Sequence, residues 1–289
     1  MKLNIATCQF PVSDDIRKNL HYVLGQMKIA KRRKADIVHF PECALGGYAG
    51  EDFKSFSGYD WEYLRHATQT VIDLSQQLKL WAVLGSNHGL TGSHKPHNSI
   101  YIINPHRGIV DRYDKLFCMG TTSTFDLKHY SPGSRFVVVN IKNIRCGFLI
   151  CHDWRYPELY REYKKRGVKL LFQSWYDGNL SDRRMKCEGT ILSSVIPATI
   201  QGHAVCNHLW ISSSNTSKPI SRFGAMMVRP DGMIVRRLPR NRPGILISTI
   251  DTTLKFSDPA KHWRERAIKG IMHSGTLVQD PRSSNHMCF

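Results

Sequence analysis

The chain has 289 residues, 41% of them hydrophobic, and carries a formal net charge of +18. That length buries a substantial core unaided, and the scattered Gly and Pro exclude collagen-like and low-complexity classes. No run approaches the roughly 20 apolar residues that span a bilayer, and the first residues lack the apolar stretch of an export signal, so a soluble, cytoplasmic, unprocessed protein is expected.

Leu3 to Phe10 is a mostly apolar run closed by Pro11, which reads as a buried strand. Ser13-Asp14-Asp15 then opens a helix, with Ile16, Leu20, Val23, Leu24 and Met27 recurring at helical spacing. Its basic end, Lys31-Arg32-Arg33-Lys34, suits the macrodipole. Ile37 to Phe40 is a second strand, Trp61 to Lys79 a second helix and Trp81 to Gly85 a third strand. This alternation predicts an α/β layered fold.

The middle of the chain is richer in strands. Ser99–Ile103 and Ile109–Tyr113 flank the turn signal Asn104-Pro105-His106-Arg107-Gly108, and Phe136–Asn140 pairs with Arg145–Ile150. Pro157 to Arg166 is helical, Leu170 to Gln173 a strand, Ser181 to Cys206 mostly helical and Leu209 to Ser213 a strand. Two further strands meet at Arg229-Pro230-Asp231-Gly232, and Gly244 to Ile250 is the last. No internal repeat is visible. The expectation is one four-layer domain over residues 1–256, two sheets face to face with helices outside, and a polar C-terminal arm or tail over 257–289.

Three of these strands end in a reactive side chain. Phe40-Pro41-Glu42 delivers a carboxylate, Tyr113-Asp114-Lys115 an ammonium and Ile150-Cys151 a thiol. Sites in layered α/β folds form beyond the carboxyl ends of strands, so the three can converge. A thiol needs deprotonation to attack. Glu42 suits the role of proton carrier, Lys115 that of oxyanion stabiliser, with a backbone N–H just after Cys151, that of His152, as a second donor. A triad of consecutive Cys151, His152 and Asp153 is geometrically poor, because neighbouring side chains on an extended segment face opposite ways.

The three segments together resemble the nitrilase superfamily of carbon–nitrogen hydrolases, from about Lys2 to about Asp251. Phe40 to Tyr48 matches the family's Pro-Glu…Gly-Tyr stretch, Asn98 to Lys115 its lysine hairpin, and Cys151 to Pro157-Glu158 its cysteine segment. Pro132-Gly133, Asn215 and Pro230-Asp231-Gly232 fit lesser signatures. The resemblance implies an αββα four-layer sandwich, a homodimer formed through helices, a small-molecule amide substrate, and neither metal nor organic cofactor. Many members carry a second Glu that orients the lysine. Here Asp126 stands near that position, either as this support or as an ordinary helix-start Asp.

Arg155, four residues after the cysteine, reads either as a bidentate partner for a substrate carboxylate or as a structural partner of Glu158 or Glu162. Tyr48, Trp175 and Tyr176 are candidate aromatic walls or core residues. No zinc or phosphate-loop pattern is present, and His88, His94 and His97 read as a solvated turn. The eight cysteines read as free thiols of a reduced compartment. The favoured function is hydrolysis of an amide or N-carbamoyl bond through a Cys151 thioester with release of ammonia. The alternatives are acyl transfer from the same thioester, or nucleic-acid binding driven by the positive charge. The last ranks lowest, since no aromatic-plus-basic stretch of an RNA module is found.

Overall fold

The computed structural model describes residues 2–287. The chain divides into two compact units, Met1–Phe256 and Ser257–Phe289. The first unit holds two six-stranded sheets. Sheet one runs β12-β1-β2-β3-β4-β5 and sheet two β11-β10-β9-β8-β7-β6. In chain order the strands of sheet one are β1 Lys2–Gln9, β2 Ile37–His39, β3 Trp81–His88, β4 His97–Asn104 and β5 Gly108–Asp114. Those of sheet two are β6 Val138–Ile141, β7 Ile144–Ile150, β8 Leu170–Ser174, β9 Trp210–Ser214, β10 Met226–Val228 and β11 Ile234–Arg237, after which β12 Gly244–Asp251 returns to sheet one. The helices are α1 Ile16–Arg32, α2 Trp61–Leu78, α3 Phe125–His129, α4 Pro157–Lys165, α5 Asp182–Arg184 and α6 Thr190–Asn207.

The expected two-sheet α/β sandwich is what the chain forms. The topology also carries a repeat that the sequence hides. β1, β2 and β3 are parallel neighbours, as are β7, β8 and β9, and each trio continues into two antiparallel strands. β12 flanks β1 antiparallel just as β6 flanks β7. Backbone pairing and burial are thus reused while side-chain identities are not, which leaves no sequence signal.

Alternation along the strands builds the layers. Leu3, Ile5 and Ile37 belong to the core cluster that includes Phe148, Phe172 and Met226 of sheet two, whereas Ala6, Cys8, Val38 and Phe40 belong to the cluster that includes α1 and α2. Helix α1 starts because the Asp15 carboxylate accepts from the N–H groups of Arg17 at 2.9 Å and Lys18 at 3.1 Å. It buries Ile16, Leu20, Val23, Met27 and Ala30 and ends in Lys31 and Arg32. Between β6 and β7, Lys142 and Asn143 both adopt positive φ, the two-residue hairpin turn that matches strand twist.

The sheet interface is not wholly apolar. His39 bridges Ser212 at 2.9 Å and Ser174 at 3.1 Å, Thr7 meets Ser212 at 2.8 Å, and Ser174 donates to the Phe40 carbonyl at 2.9 Å. Burial holds the His39 imidazole neutral, its pKa lowered to about 3. The second unit contains two short helices, α7 Lys261–Ile268 and α8 Pro281–Ser284, with Arg264 donating to Asp258 at 2.8 Å. No helix among the described residues is long and apolar enough to cross a membrane.

Candidate active site

The chain leaving β2 passes directly over β3. A Cβ on Gly85 would stand 2.0 Å from the Pro41 carbonyl oxygen, so only glycine admits the crossing. Beyond it, Glu42 is fully buried and both of its carboxylate oxygens accept hydrogen bonds. Its Oε1 receives Asn98 Nδ2 at 2.7 Å and Lys115 Nζ at 2.9 Å, and its Oε2 receives the Tyr176 N–H at 2.9 Å. Tyr176 follows β8, the topological counterpart of β2, so the ends of equivalent strands from the two sheets meet at this carboxylate.

Lys115 leaves β5 with its own N–H donating to the Asn98 carbonyl at 2.9 Å and its carbonyl accepting from Gly133 at 2.8 Å. Gly133 has no room for a side chain, since a Cβ would lie 2.4 Å from the Asp114 carbonyl oxygen. The Pro132-Gly133 signature therefore seats a loop against the lysine backbone. The ammonium stands 2.9 Å from Glu42 and 2.7 Å from Asp126.

Asp126 lies in the first turn of α3, so it is a helix-start residue and a lysine partner at once. The Met119 N–H reaches its Oδ2 at 2.9 Å and the Tyr48 hydroxyl donates to its Oδ1. The loop between Lys115 and α3 thus sets this acid directly against the ammonium. Tyr48 thus lines the pocket and anchors Asp126, its ring centroid 5.8 Å from Lys115 Nζ.

Cys151 begins a 3-10 turn, Cys151–Arg155, directly after β7, with φ of +36°, a strained value for a residue with a Cβ. The thiol is half-buried and lines a cavity of about 150 Å³ together with Lys115, Tyr48, Arg155, Trp175 and Asp177. A larger hollow of about 650 Å³ along α2, lined by Trp61, His88 and Tyr101, touches none of Glu42, Lys115 or Cys151. The smaller cavity is the one with chemistry.

Electrostatics separate the roles. Burial pushes the Glu42 carboxyl above its ordinary range against the pull of Lys115, and Asp126 adds to the rise. Burial opposes the charge on Lys115, but Asp126 and Glu42 outweigh it and hold the ammonium protonated. Burial likewise opposes ionisation of Asp126, and Lys115 overcomes it. Burial and the negative charge of Glu42 push the Cys151 thiol well up, with Lys115 pulling the other way. The resting cluster is a thiol beside an ammonium held between two carboxyl groups.

The consecutive Cys-His-Asp arrangement is absent. Asp153 is turned into the core, accepting from Phe117 N at 2.9 Å, Ile150 N at 2.9 Å and the Tyr113 hydroxyl at 2.8 Å, and burial raises its pKa to about 6. Burial, Lys115 and Arg155 keep His152 neutral, its pKa lowered to about 4. The His152 N–H lies in the first turn of the 3-10 segment, where no intrahelical acceptor exists.

Arg155 is exposed, stacks over the Trp154 ring at 4.6 Å, and forms no ion pair among the described residues. Glu162 instead pairs with Arg166 at 2.9 Å. Trp175 is buried against the cavity. Sequence reasoning missed the Asp177–Arg222 pair, 2.6 Å apart in the same lining, which joins segments 45 residues distant and has no local signal. No cluster of three or more His, Cys, Asp or Glu residues among those described is arranged for a metal ion.

Compared with known proteins, residues 4–255 match the family described as carbon-nitrogen hydrolase. The chain belongs to the carbon–nitrogen hydrolase family. Among this family's members, omega-amidase NIT2 of Bos taurus is 24% identical over 219 residues, covering 74% of each chain. Other curated relatives are matched over 39% to 89% of their own length. The fold of this carbon–nitrogen hydrolase is that of a mutant amidase from Nesterenkonia sp. AN1, with a TM-score of 0.74, 17% identity, and 93% and 96% of the two chains covered. That structure shows covalent addition of the acetamide moiety of fluoroacetamide at its active-site cysteine. A glutamine-dependent NAD+ synthetase from Acinetobacter baumannii shares the fold at a TM-score of 0.70 and 19% identity, over 88% of this chain and 46% of that one.

Proposed function

We propose that this carbon–nitrogen hydrolase cleaves the amide bond of a small, carboxylate-bearing substrate through a thioester on Cys151, releasing ammonia. The observation that carries the reading is the Lys115 ammonium held 2.9 Å from Glu42 and 2.7 Å from Asp126 beside a cavity that Cys151 lines. Its volume of about 150 Å³ is below the 300–1,000 Å³ of drug-sized sites, which favours a small substrate.

The chemistry follows from the charges. Glu42, as carboxylate, takes the Cys151 proton while the sulfur forms its bond to the amide carbon. Lys115 Nζ and the His152 N–H stabilise the oxyanion. The C–N bond breaks as Glu42 returns the proton to nitrogen, and ammonia leaves. Glu42 then removes a proton from water, which attacks the thioester and frees the acid and the thiol. Asp126, itself fixed by Tyr48 and Met119, holds Lys115 in place. Arg155, with no ion-pair partner among the described residues, grips the substrate carboxylate, and Trp175 walls the cavity.

Acyl transfer to an amine would use the same thioester. An ammonia-release screen over amides, carbamoyl amino acids and nitriles, with and without added amine acceptors, tests the reading. Release that is stoichiometric with free acid and absent in Cys151→Ala supports hydrolysis. Ammonia with an acylated amine instead supports transfer, and release by Cys151→Ala contradicts both.

The homodimer is a proposal on separate grounds. Helix α6 exposes Ile191, Val195 and Val205, an apolar face that suits a second copy of the chain. Sedimentation of the wild type against Val195→Glu tests it: a monomeric wild type refutes the dimer.

A further inference from the structure

Two residues of the cavity lining each carry a buried polar atom with no hydrogen-bond partner among the described residues: Asp177, whose Oδ2 is an acceptor, and Trp175, whose Nε1 is a donor. Their residues are 6% and 1% exposed. A buried polar group without a partner is costly, more so when charged, so such a pair beside a substrate cavity calls for a partner the protein itself does not supply.

Asp177 is set in place rather than left on a loose loop. Asn215 accepts from the Asp177 N–H at 2.9 Å, donates to the Asp177 carbonyl at 3.2 Å, and donates to the Phe223 carbonyl at 2.8 Å. The same asparagine therefore pins the backbone of Asp177 and that of the segment bearing Arg222. Arg222 Nη1 in turn donates to Asp177 Oδ1 at 2.6 Å, which fixes the carboxylate and leaves Oδ2 as the unmatched oxygen. Glu51, the other acid in the lining, lies 3.7 Å from the Arg184 guanidinium.

Resting on the amidase reading above, we propose that Asp177 is a specificity residue that receives the α-ammonium of the substrate through Oδ2. The substrate class is then the side-chain amide of an α-amino acid. Its two head-group charges find opposite partners in one small cavity: the carboxylate meets Arg155 and the indole N–H of Trp175, and the ammonium meets Asp177. A carboxylate has acceptor sites enough for Arg222 on one oxygen and an ammonium on the other. The fit also bears on the chemistry. The Asp177 charge reaches the Cys151 thiol and disfavours its ionisation. A bound ammonium screens that charge, so the correct substrate eases formation of the thiolate that attacks it.

The test measures ammonia release from two matched pairs, L-glutamine against glutaramate and L-asparagine against succinamate, in wild type and Asp177→Asn. In wild type the amino-bearing member of the better pair should have a kcat/KM about ten- to a hundredfold higher, the worth of a charge-assisted hydrogen bond. Asp177→Asn should erase that preference by lowering kcat/KM for the amino-bearing member relative to its desamino partner, a contrast that mere misfolding cannot produce. Should the variant not fold, binding of the same pairs to the Cys151→Ala protein by calorimetry gives the same comparison, with the amino-bearing member expected to bind more tightly. Turnover of glutaramate or succinamate equal to or faster than the amino-bearing partner overturns the ammonium assignment while leaving the hydrolase reading intact. Ammonia from none of the four overturns both.

Discussion

Lys115 Nζ lies 2.7 Å from Asp126 Oδ2, closer than its 2.9 Å approach to Glu42. The acid here, one methylene shorter than a glutamate, contacts the lysine directly, and the Met119 N–H and the Tyr48 hydroxyl hold its carboxylate there. Its charge is felt at Glu42 as well, where it raises the carboxyl pKa.

Asp126→Asn should consequently do two things. It should lower kcat/KM by about ten- to a hundredfold, as expected when a charged hydrogen bond worth about 1.5–3 kcal/mol is lost. It should also shift the acid limb of the pH profile to lower pH, because the anion that raises the Glu42 pKa is gone. A pH–rate series on the variant reads both effects. An unshifted limb would mean that Asp126 does not act on Glu42.

The wild-type acid limb is itself a prediction. Glu42 accepts the thiol proton only as carboxylate, and its pKa is raised, so activity should fall as pH drops through a midpoint above the ordinary glutamate value of about 4.3. Glu42→Gln should cost at least about a hundredfold and flatten that limb. A midpoint at or below the ordinary value would remove Glu42 from the role of base.

Much of this site is legible in the chain. Glu42, Lys115 and Cys151 can be found because each ends an apolar strand, a pattern carried by a few consecutive residues. Asn98 is visible only as part of the lysine hairpin, its bond to Glu42 being a matter of register. Asp177 and Arg222 are not legible, since their 2.6 Å contact depends on how two loops descend onto the cavity. His39 reads as one more residue of a buried strand, and only the stacking of two sheets shows that its ring bridges Ser174 and Ser212. The duplicated strand order is invisible for a similar reason, because it is written in pairing rather than in residue identity.

That buried imidazole has a consequence for stability. Its folded-state pKa is lowered from 6.5 to about 3, so the unfolded chain binds the proton first. Stability is therefore full above about pH 6.5 and declines as pH falls from there toward 3. His39→Gln should be less stable at pH 7.5, having altered bonds to the serines, yet lose less of its Tm between pH 7 and pH 4 than the wild type. Parallel Tm–pH curves would show that His39 contributes nothing to acid sensitivity.

Arg155→Lys keeps a positive charge but loses the planar fork that binds a carboxylate through two hydrogen bonds. With an acid-bearing amide, kcat/KM should fall about ten- to a hundredfold, while a neutral amide of similar size should be nearly unaffected. Equal losses on the two substrates would make Arg155 a structural residue and end the case for an acid substrate.

The central claim is that Cys151 carries the acyl group, and trapping it is the most direct measurement. A slowly hydrolysed amide is mixed with the protein, the reaction is quenched in acid, and the intact mass and its peptides are read by mass spectrometry. The account predicts one added acyl mass, located on the peptide containing Cys151 and absent from a folded, inactive Cys151→Ala. An acyl group on Cys43 or Cys118, or turnover that persists in Cys151→Ala, would contradict it.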